Sequence, residues 1–459
     1  MIENTIRLLQ DCSFHFDFNV NRNKQTFTGN RYDDKELLRV LALDGLSYRY
    51  GKSNKVALQR IEKELEIIDK LGFSSYFLIT HDIVRYGMSR GFYHVGRGSG
   101  ANSVVAYCLR ITDVCPIELD LYFERFLNPK RLSPPDFDID FGWDERDEMY
   151  NYIFKRYKKQ NTALLGAIST FKERSVIREL GKVYGLPKND IDRIFDEPNS
   201  ILNKNEFVDM IISLTKQLAD FPNLRTIHAS GVLISEHPIT HYSALDLPPK
   251  GLPTVQWDMY TAEDIGFEKF DILSQRGIAH IKESVSIIKE NRGITVDAHQ
   301  VDKFKNDVKV KQELKSGDTI GCFYIESPAM RGLLKKLHCD DYLTLVAASS
   351  IIRPGVAKSG MMRAYIERFH DPAKVDYLHP VMKEQLKETY GVMVYQEDVL
   401  KIGHHFGGLD LAEADVLRRM MSGKHRSAKH LKEIEQKYYD NCKRFGYPES
   451  LAREVWRQI

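Results

Sequence analysis

At 459 residues the chain is too long for one ordinary core, and two to four domains are expected. A hydrophobic content of 42%, a charged content of 28% and a net charge of +2, from 66 basic and 64 acidic residues, fit a globular chain and argue against a polycation that coats nucleic acid. The 6 cysteines form no C-x-x-C pair, MIENTIRLLQDCSF has no signal-peptide pattern and no apolar run reaches spanning length, which argues against a zinc ribbon, secretion and membrane insertion and for a cytoplasmic location with reduced thiols.

Residues 55–71 (KVALQRIEKELEIIDKL) read as an amphipathic helix with Leu58, Ile61, Leu65 and Ile68 on one face. Next comes HVGRGSGANSVVAYCLRI, a glycine-rich turn running into an apolar helix. Gly96, Gly98 and Gly100 permit close backbone approach to a ligand. The following helix N-terminus favours anions, and Ser99 and Ser103 add hydroxyl donors. The spacing is neither a Walker A loop nor a dinucleotide fingerprint, so a purely structural turn stays open. FERFLNPKR then places Arg125, Lys130 and Arg131 ahead of PPDFDIDFGWDERD.

In that stretch Asp136, Asp138 and Asp140 alternate with Phe137, Ile139 and Phe141. Period two reads as a strand, with Pro134 and Pro135 at its start, carboxylates on one face and apolar groups on the other. Carboxylates roughly 7 Å apart repel by ~2.4 kcal/mol at an effective dielectric near 20. Solvent on an exposed edge offsets that repulsion; divalent cations offset it better, because hard cations prefer carboxylate oxygens.

Residues from DERDEMYNYIFKRYKK to FVDMIISLTKQLADF read as a charge-rich helical region with few strand signals. Strand character returns in HASGVLIS, GLPTVQW and FEKFDIL. In the last of these, Lys269 and Asp271 share one face and Phe270 and Ile272 the other. Two carboxylates from one strand and one from a neighbour suit two divalent ions about 4 Å apart, the arrangement of in-line phosphoryl transfer. After residue 276 the chain is mostly helical. ADVLRRMMSGK puts Arg418 and Arg419 side by side on a helix, and arginine forks bind phosphate. His404 and His405 in IGHHFGG read as surface or packing residues rather than metal ligands, and His228 in the strand-like IHASGVLI as a positioning or structural residue. The pattern mixed, helical, mixed, helical indicates an α+β domain interrupted by a helical insertion and followed by a helical domain.

In chain order, GRGSGANS, FERFLNP, PDFDIDF, the KFD of EKFDIL, RPG followed by SGM, VYQEDV and DVLRRMMSGK resemble the C family of bacterial replicative DNA polymerases, the alpha subunits of DNA polymerase III. The resemblance runs over nearly the whole chain. It implies a mixed-sheet palm like that of nucleotidyltransferases (1–165 and 227–276), an inserted helical thumb (166–226) and following fingers (277–459). It implies that Asp136, Asp138 and Asp271 are catalytic ligands of two Mg²⁺ ions, with Asp140 a supporting acid. It gives Gly98 and Ser99 to a triphosphate-binding turn, and Arg125, Arg131, Lys269, Arg418 and Arg419 to nucleotide binding. The implied activity is template-directed DNA synthesis from deoxynucleoside triphosphates on primer–template DNA, with other replisome subunits, including a sliding clamp, as partners of the full-length protein. A truncated DNA-binding module and a template-independent nucleotidyltransferase are the rival readings.

This sequence departs from the family's pattern in three ways. A histidine-rich domain before the palm and clamp-binding and nucleic-acid-binding barrel regions after the fingers are not expected within these 459 residues, and YHVGRGSG has no proline before the turn. SLAREVWRQI has no helix-stop signal, so a fragment is expected, with Leu451, Val455 and Trp456 awaiting a partner.

Overall fold

The computed structural model describes residues 2–12, 16–18, 20–51, 53–128, 136–196, 206–353, 355–356, 359–421 and 428–459. The chain divides into two compact units. One comprises Met1–Gln25 and Glu148–Leu273, the other Thr26–Asp147 and Ser274–Ile459. The described strands are β1 (His94–Arg97), β2 (Asp138–Gly142), β3 (Thr162–Thr170), β4 (Pro222–Ile234), β5 (Leu245–Asp246), β6 (Thr254–Val255) and β7 (Lys269–Gln275). With the many helices they make an α+β fold.

In the first unit β3 is central. It runs antiparallel to β4 and parallel to β6. β4 pairs antiparallel with β7, and β6 with β5. Ala163, Leu165, Leu233, Val255 and Phe267 fill the core beside these strands. β3 lies inside the stretch read as helical from sequence. Its first five residues are all buried, and a strand covered on both faces shows no alternation to reveal it. Farther along, β3 and β4 continue as a ribbon; on β4, Pro222–Thr226 are exposed. Three described helices lie between the two strands in sequence: Glu173–Val183, Lys188–Asp196 and Glu206–Leu218. They pack around Ile177, Ile191 and Ile211.

In the second unit the helix expected over 55–71 spans Lys55–Lys70, capped by Asn54, which accepts from the Ala57 amide at 3.0 Å. Ile61 and Ile68 are fully buried as expected, but the inward face also carries Glu64, which has no exposure. β1 and β2 pair antiparallel, with Val95 opposite Asp140 and Arg97 opposite Asp138. From Arg276 onward this unit is helical. The last helix, Glu449–Gln458, does not await a partner. Val455 is fully buried, and Trp456 lies 4.9 Å from the ring of Tyr438, in a cluster with Phe406. The amphipathic face expected to be uncovered packs within the chain.

Candidate active site

β2 owes its placement to its apolar partners. Phe137, Ile139 and Phe141 are at most 2% exposed. Phe137 stacks on Tyr76 at 5.7 Å and meets Phe77 and Phe126 at 5.2 and 4.9 Å. The described strand begins at Asp138, with Asp136 and Phe137 leading into it; Pro134 and Pro135 lie outside the described residues. The acidic face is not uniformly wet. Asp136 and Asp138 are half-buried, while Asp140 is 1% exposed. Arg97 answers the repulsion. Its Nη1 donates to Asp138 Oδ2 at 2.9 Å and its Nε to Asp140 Oδ2 at 2.8 Å. Gln275 Nε2 donates to the same Asp140 oxygen at 2.6 Å. Burial raises the Asp140 carboxyl above its ordinary value, against the pull of Arg97. Arg97 sits within the quoted glycine-rich motif, yet only its register opposite Asp138 reveals its part.

Gly98 has φ of +78°, and a Cβ there would come 2.9 Å from Asp138 Oδ2. A Cβ at Gly100 would come 2.4 Å from the Phe137 ring. The glycines thus let the turn lie against the acidic segment. Ser99 is half-buried beside them. The helix that follows is short, Val104–Cys108, and its N-terminus is not open to an outside anion as the sequence suggested. Glu64 fills it. Its carboxylate accepts from Ser103 Oγ at 2.8 Å, from the amides of Val104 and Val105 at 3.1 and 3.0 Å, and from Arg60 Nε at 3.1 Å. Burial pushes this carboxyl up to about 7, although Arg60 and the amide donors pull the other way. The sequence signal for Glu64 is a charge on an otherwise apolar helical face.

In the first unit, Asp271 lies on β7 opposite Gly231 of β4 and is 4% exposed. Lys269 forms an ion pair with its Oδ2, so the shared face expected of these two residues is real. Ser230 Oγ donates to Asp271 Oδ1 at 2.6 Å, and His228 Nδ1 accepts from the Gly231 amide at 3.0 Å. His228, Ser230 and Gly231 all lie on β4, next to Asp271 on β7.

The arginines of the second unit converge. Arg125 follows Phe123 at the end of a short 3-10 turn. Its Nη1 pairs with Glu397, and its Nη2 donates to Gln396 Oε1 at 2.9 Å. Arg418 Nη1 donates to that same oxygen at 2.9 Å, while its Nε and Nη2 hold Asp415 Oδ1 at 2.9 and 2.8 Å. Arg419 is half-buried on the same helix, Leu411–Met421; Arg131 lies outside the described residues. Gln396 and Glu397 belong to the quoted VYQEDV, but nothing local marks them as partners of Arg125. His404 Nδ1 is bonded to the Leu409 carbonyl at 2.7 Å, a packing role.

A family model described as "Bacterial DNA polymerase III alpha NTPase domain" matches residues 36–274, and one described as "Bacterial DNA polymerase III alpha subunit finger domain" matches 278–446. The chain belongs to the bacterial DNA polymerase III alpha family. DNA polymerase III subunit alpha of Staphylococcus aureus (strain MRSA252) is 34% identical to it over 99% of this chain and 44% of that relative. The subunit alpha of Halalkalibacterium halodurans is 34% identical over 100% of this chain and 42% of that relative. The chain therefore spans less than half the length of these polymerase subunits. DNA polymerases are in general metal-dependent, and aspartate carboxylates such as those of Asp136, Asp138 and Asp271 are donors of the kind that hard metal ions prefer. No described helix is long and apolar enough to cross a membrane.

Proposed function

We propose that this chain carries the nucleotidyl-transfer centre of a template-directed DNA polymerase. A primer 3′-oxygen attacks the α-phosphate of a deoxynucleoside triphosphate, forming a phosphodiester and releasing pyrophosphate. The observation that carries the reading is the acidic segment itself. Its apolar members are locked in the core while Asp136 and Asp138 stay half-exposed, beside a glycine turn that leaves them room. Asp136, Asp138 and Asp271 would hold two Mg²⁺ ions, which supply Lewis-acid stabilisation of charge on the reacting oxygens. Hard oxygen donors fit that ion.

The remaining roles fall to this chain's own residues. Asp140 fixes Arg97, and Arg97 holds Asp138 in place. Lys269 compensates the buried charge of Asp271. Gly98 and Ser99 bring backbone and hydroxyl to the triphosphate, and Arg125, Arg131, Arg418 and Arg419 bind its phosphates as forks. Residues 1–165 and 227–276 would form the palm, 166–226 the thumb and 277–459 the fingers. Grip on primer–template is expected through backbone contacts, with little sequence preference. In the full-length protein other replisome subunits and a sliding clamp would join it in the cytoplasm.

The test is primer extension with and without template and Mg²⁺, using wild type and Asp138→Asn. Template-dependent, Mg²⁺-dependent addition lost in the variant supports the reading. Addition without template assigns a template-independent transferase, and DNA binding without addition assigns a binding module.

A further inference from the structure

Gln396 and Glu397 are adjacent in the first turn of the helix Gln396–His405, and both touch an arginine assigned to the triphosphate. That turn is firmly held. The Tyr395 amide donates to Asp398 at 2.8 Å, and Leu400 and Ile402 are fully buried. Arg125 leaves a turn whose Phe123 and Phe126 are fully buried, and Arg418 leaves a helix anchored by fully buried Leu417. One amide oxygen therefore spans two guanidinium groups from separate elements. Its two lone pairs suffice for both donors. Being neutral, it holds two cations together without cancelling either charge.

The acids divide the rest of the work. Asp415 has no exposure, takes two donors from Arg418 and accepts from Asn128 Nδ2 at 3.4 Å. Glu397 differs. Its side chain is 13% exposed and that of Arg125 21% exposed, so the pair is reachable from solvent. Arg125 Nε is buried and has no hydrogen-bond partner among the described residues, so the partners described for this guanidinium do not satisfy it fully.

We propose that residues 396 and 397 set the affinity for the triphosphate. Gln396 is a positioning residue that fixes the separation of Arg125 and Arg418. Glu397 is an internal anion that competes with the incoming phosphates for Arg125. The inference rests on the reading above that these arginines meet the triphosphate.

Adjacent isosteric substitutions then act with opposite signs. The experiment titrates a fluorescent deoxyadenosine triphosphate analogue, with Mg²⁺, into this chain and into its Glu397→Gln, Gln396→Glu and Arg418→Ala variants, and records thermal midpoints for each. Glu397→Gln should tighten binding about tenfold by removing the competitor. Gln396→Glu should weaken it about tenfold, because a carboxylate between the guanidiniums neutralises them, while its thermal midpoint holds or rises. A merely structural role for Gln396 predicts a falling midpoint instead. If Arg418→Ala weakens binding but the two isosteric variants match wild type, the inference is overturned and the functional reading stands. If Arg418→Ala binds as well as wild type, or wild type does not bind, the reading fails and takes the inference with it.

Discussion

Arg97 bonds Asp138 at 2.9 Å and, through the other edge of the same guanidinium, Asp140 at 2.8 Å. One cation thus settles two neighbouring carboxylates of opposite standing, Asp138 reachable and Asp140 buried. Removing Arg97 leaves Asp140 with Gln275 as its remaining side-chain donor among the described bonds. Arg97→Ala should destabilise the chain by about 1–2 kcal/mol, less than a buried pair because Arg97 is 46% exposed. Asp140→Asn should cost less. The double variant should recover part of the Arg97→Ala loss, since the stranded charge is gone. Urea midpoints of the four proteins close the cycle; a double variant worse than the sum of the singles would remove Arg97 as the balancing charge.

The three proposed metal ligands differ in what they do for the fold. Asp136→Asn and Asp138→Asn alter half-buried groups; Asp138→Asn weakens the partly exposed Arg97 pair, a loss of under about 1 kcal/mol that relief of like-charge repulsion offsets. Asp271→Asn acts on a residue 4% exposed and deprives Lys269 of this ion pair. It should lower stability by about 3 kcal/mol, the cost of breaking a buried pair from one side. All three should abolish nucleotide incorporation in a complete enzyme and weaken Mn²⁺ binding measured by calorimetry on this chain. Full Mn²⁺ affinity in Asp136→Asn and Asp138→Asn together would move the metal site elsewhere.

Gly98 offers a finer probe of the same place. With φ of +78° and Asp138 Oδ2 at 2.9 Å from an added Cβ, Gly98→Ala both strains the backbone and pushes the carboxylate. The strain is about 1–2 kcal/mol. The far end of an aspartate swings away cheaply, so Mn²⁺ affinity should fall more sharply than the thermal midpoint. The reverse order would mean that the turn serves only the fold.

What was legible in the sequence is what is local. The helix at Lys55–Lys70 and the inward set Phe137, Ile139 and Phe141 follow from spacing alone, because polar residues alternate with apolar ones at the period of the element. β3 was illegible because both its faces are covered at Thr162–Gly166. The missed partners share a different reason. Glu64 meets Ser103 across 39 residues and Arg125 meets Gln396 across 271. A charged or amide side chain on a helix carries no mark of a partner so far along the chain. The motifs resembling the polymerase family pointed to the acids and arginines, but what holds each in place is tertiary.

Glu64 supplies a test with a definite sign. Its carboxyl stands near 7 in the folded chain against 4.5 as the ordinary value, with burial the largest cause. A raised carboxylate favours the protonated folded form. Its contribution to stability is therefore complete below pH 4.5 and is lost as pH climbs through 7. Glu64→Gln cannot titrate, and its amide nitrogen faces donors, so it should be less stable than wild type throughout. Between pH 5.5 and 8 the advantage of wild type over this variant should shrink by about 2 kcal/mol in urea unfolding. The competing possibility is physical and specific: Ser103, two helix amides and Arg60 all donate to this group, and together they favour the carboxylate. If they prevailed over burial, the advantage would grow or stay level as pH rises, and Glu64 would be a fixed charge capping the helix rather than a group that changes charge near neutrality.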